Sequence, residues 1–279
     1  MTPAEPSTGA SSRGLTRRSL VLAALAGGAG VVGGYALAGR RAGAAAGAGP
    51  TVTTAERHAA QPEALFRIPT TEPIVALTFD DGPDPLYTPA VLDLLADRGM
   101  SATFFLVGAN AAAEPELVRR ILDGGHGIGN HTQDHRSLDT LTAQQVRVEI
   151  QQAHDALIAA GCPEPDLFRP PRGRTNAIVG TLADSYAYRT VFWDACVEHF
   201  VNHQPVAAGV EQMVSTIRPG SIILAHDGGR IVGSESAPLS RARTIEALPD
   251  LLDRLTERGL RVVDVATLLQ ATGTPALAV

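Results

Sequence analysis

Two carboxylates stand side by side in Leu77-Thr78-Phe79-Asp80-Asp81-Gly82-Pro83, at the point where an apolar run should end as a buried strand. Like charges this close repel and raise one pKa unless an ion or counter-charge absorbs one of them. Further along, His131-Thr132-Gln133-Asp134-His135 places two imidazoles four residues apart, a spacing that lets both rings reach one ion from a helical turn or a tight loop. Taken alone, that pair suits a solvated polar loop at least as well. Asp81 shifts the balance: two nitrogens and one carboxylate form the ligand set of a catalytic zinc-type site, whose remaining positions stay open for water and substrate. One carboxylate of the pair then binds the ion, and its neighbour takes a proton from the attacking water. Gly82-Pro83 turns the chain out of the strand and keeps both side chains at its mouth, although D-D-G-P also serves as a plain strand-ending turn.

Such groups need a scaffold that gathers strand ends. From Pro73 onward, short apolar runs alternate with amphipathic stretches, the pattern of βαβ units around a parallel sheet. Strands are expected at residues 74–79, 102–107, 127–130, 167–169, 190–193, 222–225 and 261–265, and helices at 88–99, 142–160, 205–217 and 243–259. Within 88–99, Val91, Leu92, Leu94 and Leu95 recur at helical spacing, Asp93 and Asp97 face away, and Gly99 closes the helix. Seven strands suit an α/β fold, a distorted or incomplete (β/α) barrel with its chemistry on loops at the carboxyl ends of the strands. Asp80 and Asp81 follow the first expected strand, His131 and His135 the third, Arg169 the fourth and His226 the sixth. All fall on one face.

The stretches T-F-D-D-G-P, H-T-Q-D-H, F-R-P-P-R-G and I-I-L-A-H-D follow one another in this order. In these motifs the chain, from about Pro73 to Leu269, resembles the NodB-homology polysaccharide deacetylases, carbohydrate esterase family 4. The resemblance implies a distorted (β/α) barrel and metal-dependent removal of N- or O-acetyl groups from sugars. Position by position it implies Asp80 as the base, Asp81, His131 and His135 as holders of one divalent metal, Arg169 as the group orienting Asp80, and His226 as the general acid. Zinc is the first expectation for the ion, and cobalt and nickel accept the same ligands. Substrate and oxyanion contacts are expected from Leu224 and from the backbone N–H of Arg172, which follows the rigid Pro170-Pro171 pair.

The chain departs from that family in two places. Most relatives carry Tyr where Arg172 stands. Relatives also show a D-x-x-D-W pattern after the fifth strand, where this chain has Cys196-Val197-Glu198-His199-Phe200. His199 replaces the second Asp of the pattern; without a neighbouring carboxylate His226 is expected to hold its proton less tightly, and Asp194 and Glu198 are the candidate substitutes. Cys196 reads as a small buried hydrophobe, His199 and His203 as solvent-facing, and Trp193, the sole tryptophan, as strand core or a substrate platform.

With 279 residues and 44% hydrophobic content, the chain can bury one sizeable catalytic domain. All 23 basic residues are Arg, against 29 acidic ones, and the net charge of −6 with no basic run excludes nucleic acid as a partner. Cys162 and Cys196 lack metal or redox spacing and are expected to remain unpaired. Residues 1–38 have the layout of an export signal, and Arg17-Arg18 before the apolar stretch resembles the twin-arginine type. Cleavage is expected after 36–38 or 44–46; the alternative is a membrane helix over 20–38, the one route to a membrane. A linker is expected over 39–72, the deacetylase domain over 73–272 and a tail over 273–279. The expectation is a monomer, secreted, periplasmic or wall-associated, acting on an acetylated polysaccharide. Peptidoglycan amino sugars come first, with chitin oligomers and acetylated xylan open. The altered fourth motif favours one rival, a carbohydrate-binding pseudoenzyme; another is a metal hydrolase of a different C–N bond, such as a cyclic amide.

Overall fold

The computed structural model describes residues 64–273. The expected export signal, the linker up to residue 63 and residues 274–279 lie outside them. Among the described residues no helix is long and apolar enough to cross a membrane.

The strand β1 (Ile74–Asp80) runs through the centre and is buried along its whole length. Its alternation sorts Val75, Leu77 and Phe79 into the core cluster shared with the helices, and Ile74 and Ala76 into a second cluster on the opposite face. The same period of two carries Thr78 and Asp80 onto that second face. Beside β1 lie β2 (Thr103–Leu106), β3 (Gly127–Asn130), β4 (Leu167–Phe168) and β5 (Arg189–Thr190) on one side, and β7 (Ile222–His226) and β6 (Ala195–Cys196) on the other. The resulting order is β5-β4-β3-β2-β1-β7-β6, with every neighbouring pair parallel. The strand β8 (Arg261–Val263) pairs with Ile74–Ala76, and β2 takes over the same edge of β1 at Thr78. The sheet is thus the curled, incomplete (β/α) barrel expected of parallel strands covered by helices.

Helical crossovers connect the strands: α1 (Thr88–Arg98), α2 (Gly108–Ala113), α3 (Pro115–Asp123), α4 (Ala143–Ala159), α5 (Ala177–Ser185), α6 (Val197–Val201), α7 (Val206–Thr216) and α8 (Ala242–Glu257), with α9 (Val265–Ala271) after β8. Local chemistry sets several ends. Gly99 closes α1 in the left-handed region at φ 61°, and Thr142 with Gln145 forms a capping box that opens α4. Register then levels the strand ends: Asp80 pairs across to His226 on β7, and Asn130 to Phe168 on β4.

Two expectations need correction. The strand expected over 190–193 is only Arg189–Thr190, and a separate β6 follows it, making eight strands among the described residues. Asp194 divides them, because its carboxylate accepts from Ser221 Oγ and the Ile222 backbone instead of continuing a ladder. Residues 64–68, assigned to the linker, join the sheet: Leu65 donates to the Thr190 carbonyl and accepts from the Phe192 N–H, and Ile68 donates to the Gly220 carbonyl. Both cysteines are free thiols.

Candidate active site

Asp80 reaches the carboxyl end of β1 on the face that Thr78 and Ala76 share. Simple alternation would send Asp81 to the other face. Its backbone instead adopts φ 75°, so both carboxylates come within 3.6 Å of His131 Nε2. An L-residue in this region costs roughly 1–2 kcal/mol. Of the five non-glycine residues with positive φ among those described, four flank the site: Asp81, Thr132, His135 and Arg172. Strain of this kind persists where surrounding contacts over-determine the backbone, typically at functional sites. Here the contacts are visible: Asn110 on α2 donates to the Asp81 carbonyl at 2.8 Å, and Gly228 has no side chain because Asp81's backbone lies where a Cβ would go.

His131 leaves β3 and His135 ends the tight loop after it. The Nδ1 of His131 is 2.7 Å from the Arg169 carbonyl, which can only accept. That nitrogen therefore carries the proton, and Nε2 presents its lone pair toward Asp81. His131 Nε2 and His135 Nε2 lie 3.5 and 3.1 Å from Asp81 Oδ1, and that oxygen is buried with no hydrogen bond. One donor atom from each residue falls within 4.8 Å of the others, which no other such cluster among the described residues achieves. Burial lowers the affinity of His135 for a proton; burial alone would raise the Asp81 carboxyl, yet positive charge on the imidazoles near it, that of His226 included, holds it well below the usual range. An ionised carboxylate and bare imidazole nitrogens facing one another fit a divalent cation.

Arg169, fully buried, is the spoke of the opposite wall. Its Nη1 donates to Asp80 Oδ1 at 2.7 Å and to Thr78 Oγ1 at 2.9 Å, while Nε and Nη2 donate to the carbonyls of Val191 and Phe192. The guanidinium also lies 4.0 Å from the centre of the Phe105 ring. One oxygen of Asp80 is thereby fixed, and the other remains toward the cavity.

His226 ends β7. Its Nδ1 lies 3.0 Å from Glu198 Oε2, and Glu198 Oε1 accepts from the His226 backbone N–H and from Thr244 Oγ1 at 3.0 and 2.6 Å. Burial alone would push the imidazole down; Glu198, with the charges of Asp81 and Asp80 behind it, outweighs burial and raises His226 to about 9. Burial would likewise raise Glu198, and the charge on His226 holds it at about 2. Of the two candidate substitutes for the missing aspartate, Glu198 is the one beside His226, and the proton is not loosely held. Glu198 sits one residue before the missing aspartate, but the first turn of α6 and its longer side chain bring the carboxylate to the ring. Asp194 is occupied elsewhere, and His199 is exposed and does not line the cavity.

These groups surround a cavity of about 560 Å³ that Asp80, Asp81, His131, His135, Arg172, Leu224 and His226 all line. Trp193 and Cys196 line it too, so Trp193 is half-buried at the wall and not strand core. Burial pushes the Cys196 thiol up to about 12, which keeps it protonated. The Arg172 side chain donates to the His135 carbonyl and to Ser137 Oγ, tying the third motif to the histidine loop. Sequence reasoning missed two groups. Arg241, at the start of α8, donates to Asp81 Oδ2 at 2.7 Å, and Asn110 joins Asp81 to the loop that follows β7 through Arg230 and Val232. Neither stands in a motif, and only contacts made across the fold reveal them.

A parallel incomplete barrel carrying an Asp-His-His cluster, a second carboxylate and a paired histidine defines a metal-dependent hydrolase. The polysaccharide deacetylase family profile matches residues 67–191. The chain is 36% identical over 215 residues to a peptidoglycan-N-acetylglucosamine deacetylase of Bacillus cereus, covering 74% of this chain and 92% of that one. It is 36% identical over 192 residues to a chitooligosaccharide deacetylase of Sinorhizobium fredii, covering 67% and 87%. Among solved structures, a family 4 carbohydrate esterase from Streptomyces lividans in complex with acetate matches with a TM-score of 0.59 at 35% identity, over 68% of this chain and 91% of that one. This chain belongs to the polysaccharide deacetylases, carbohydrate esterase family 4 with NodB homology, hydrolases of carbon–nitrogen bonds other than peptide bonds.

Proposed function

We propose that this protein removes N-acetyl groups from amino sugars of a cell-wall glycan, peptidoglycan first, using zinc held by Asp81, His131 and His135. The observation that carries this reading is the level placement of Asp80 and His226 at the ends of adjacent strands, both lining the cavity that the triad also lines. A divalent ion at the triad would polarise the acetyl carbonyl and make water acidic enough to attack at neutral pH. Asp80, steadied by Arg169, takes the proton from that water as its oxygen bonds to the acetyl carbon. The backbone N–H of Arg172 stabilises the resulting oxyanion, and Leu224 forms an apolar wall for the acetyl methyl. As the C–N bond breaks, His226 gives its proton to the sugar nitrogen, releasing acetate and an amine.

The Glu198 partner of His226 supports catalysis over a carbohydrate-binding pseudoenzyme, since it supplies the carboxylate that the altered fourth motif lacks. The peptidoglycan and chitooligosaccharide names of the relatives support the substrate class, and work on a wall glycan agrees with a twin-arginine signal and action outside the cytoplasm as a monomer. Acetate release from peptidoglycan, chitin oligomers and acetylated xylan, with metal content measured alongside, tests the reading. Release from peptidoglycan supports it. A metal-loaded protein that frees no acetate from any of the three is the pseudoenzyme, and turnover of a cyclic amide alone identifies the other hydrolase.

A further inference from the structure

The Asp81 carboxylate divides its two oxygens between different partners. Oδ1, buried and without a hydrogen bond, faces both histidine Nε2 atoms, whereas Oδ2 is 2.7 Å from Arg241 Nη2. Arg241 is itself held: it is nearly buried, and its Nε donates at 2.7 Å to the Gly228 carbonyl in the loop after β7. The guanidinium therefore cannot follow Asp81 if the carboxylate rotates, and bringing Oδ2 toward the histidines means abandoning a charge-assisted hydrogen bond in a site sheltered from water.

We infer that Arg241 is a positioning residue that makes Asp81 present a single oxygen to the ion. The inference rests on the metal-site reading above and adds to it a control on coordination number. One oxygen from Asp81 and one nitrogen from each histidine leave positions for water and the acetyl oxygen, whereas a two-oxygen grip by Asp81 occupies one of them. Arg241 also places a positive charge beside the cation, so it favours an open site at the expense of affinity.

The test is cobalt(II) substitution of the metal-free protein, comparing the parent with Arg241→Met and Arg241→Lys, with zinc affinity measured by competition against a chromophoric chelator. In Arg241→Met the freed Oδ2 joins the ion. The visible cobalt absorption should fall at least twofold, as a higher coordination number requires, while zinc binds as tightly as in the parent or tighter. Arg241→Lys keeps one charged donor for Oδ2 and loses the tie to Gly228, so it should retain the parent spectrum. A structural role through Gly228 predicts instead that Lys and Met behave alike. An unchanged cobalt spectrum in Arg241→Met, or zinc affinity reduced tenfold with that spectrum, overturns the inference. If Arg241→Met does not fold, the Lys variant decides: a parent-like spectrum supports the inference and an altered one overturns it. Failure of the parent to bind cobalt sinks the metal-site reading itself, and no step of this test depends on acetate release.

Discussion

Glu198 and His226 form an ion pair at 3.0 Å that joins the first turn of α6 to the end of β7, and Glu198 also takes the His226 backbone N–H. The pairing holds the His226 proton up to a pH of about 9, against an ordinary value of 6.5. Glu198→Gln removes the strongest raising influence and leaves burial, which lowers, against the weaker raising charges of Asp81 and Asp80. The alkaline limb of the kcat profile should move down by at least one pH unit; a limb that stays in place refutes the acid assignment of His226. The stability linked to the pair follows the same signs. The raised His226 contributes fully below 6.5 and loses its contribution as pH rises through about 9, and Glu198, held at about 2 against 4.5, loses its contribution as pH falls through about 2. Chemical denaturation across pH should show the parent gaining most over Glu198→Gln between about 4.5 and 6.5.

The two adjacent carboxylates should separate by variant. Asp80→Asn keeps the ligand set and removes a proton acceptor, so metal content stays near the parent while kcat drops by roughly 10²–10⁴. Asp81→Asn removes the charge on the oxygen that faces both imidazoles, and zinc content after dialysis should fall with it. Equal loss of metal in both variants contradicts the division between base and ligand.

Arg169 has no exposure and four hydrogen bonds to β1 and to the segment after β5. Arg169→Met leaves Asp80 as a buried carboxylate without its cation and orphans two carbonyls. Loss of one partner from a buried pair costs roughly 3–5 kcal/mol, and urea denaturation of the metal-free protein should show a fall of about that size. A change under about 1 kcal/mol would mean that water replaces the guanidinium.

A methyl group on Gly228 would lie 2.1 Å from the Asp81 carbonyl carbon and oxygen, and no flexible side chain is there to yield. Gly228→Ala must displace the strained Asp81 backbone. Zinc affinity should weaken roughly 10–100-fold, as for other residues that support a ligand. Chelator competition checks this, and parent-like affinity would show that the loop after β7 moves instead.

Much of the barrel was legible because its signals are local. The run from Ile74 to Asp80 alternates, and each helical stretch around 88–99 and 142–160 carries its own apolar stripe and end signals. The strands that were misjudged, β5 and β6, are two residues each, too short for a period to register, and their limits come from Asp194 bonding to Ser221 and Ile222. The tie of residues 64–68 to the sheet was illegible for a similar reason, since its hydrogen bonds depend on partners more than a hundred residues away.

The candidate site divides along the same line. Residue types and their order determined that two carboxylates, two histidines and a later histidine would reach the ends of parallel strands, because strand exits and turns are written in neighbouring residues. Which nitrogen of His131 faces inward, which carboxylate grips His226 and which cation holds Asp81 were decided only when the chain closed on itself. Those choices depend on distances set by helix turns and strand register across as many as 160 residues, as between Asp81 and Arg241. Spacing along the chain carries no record of them, since a charge meets its partner through space at a few ångströms.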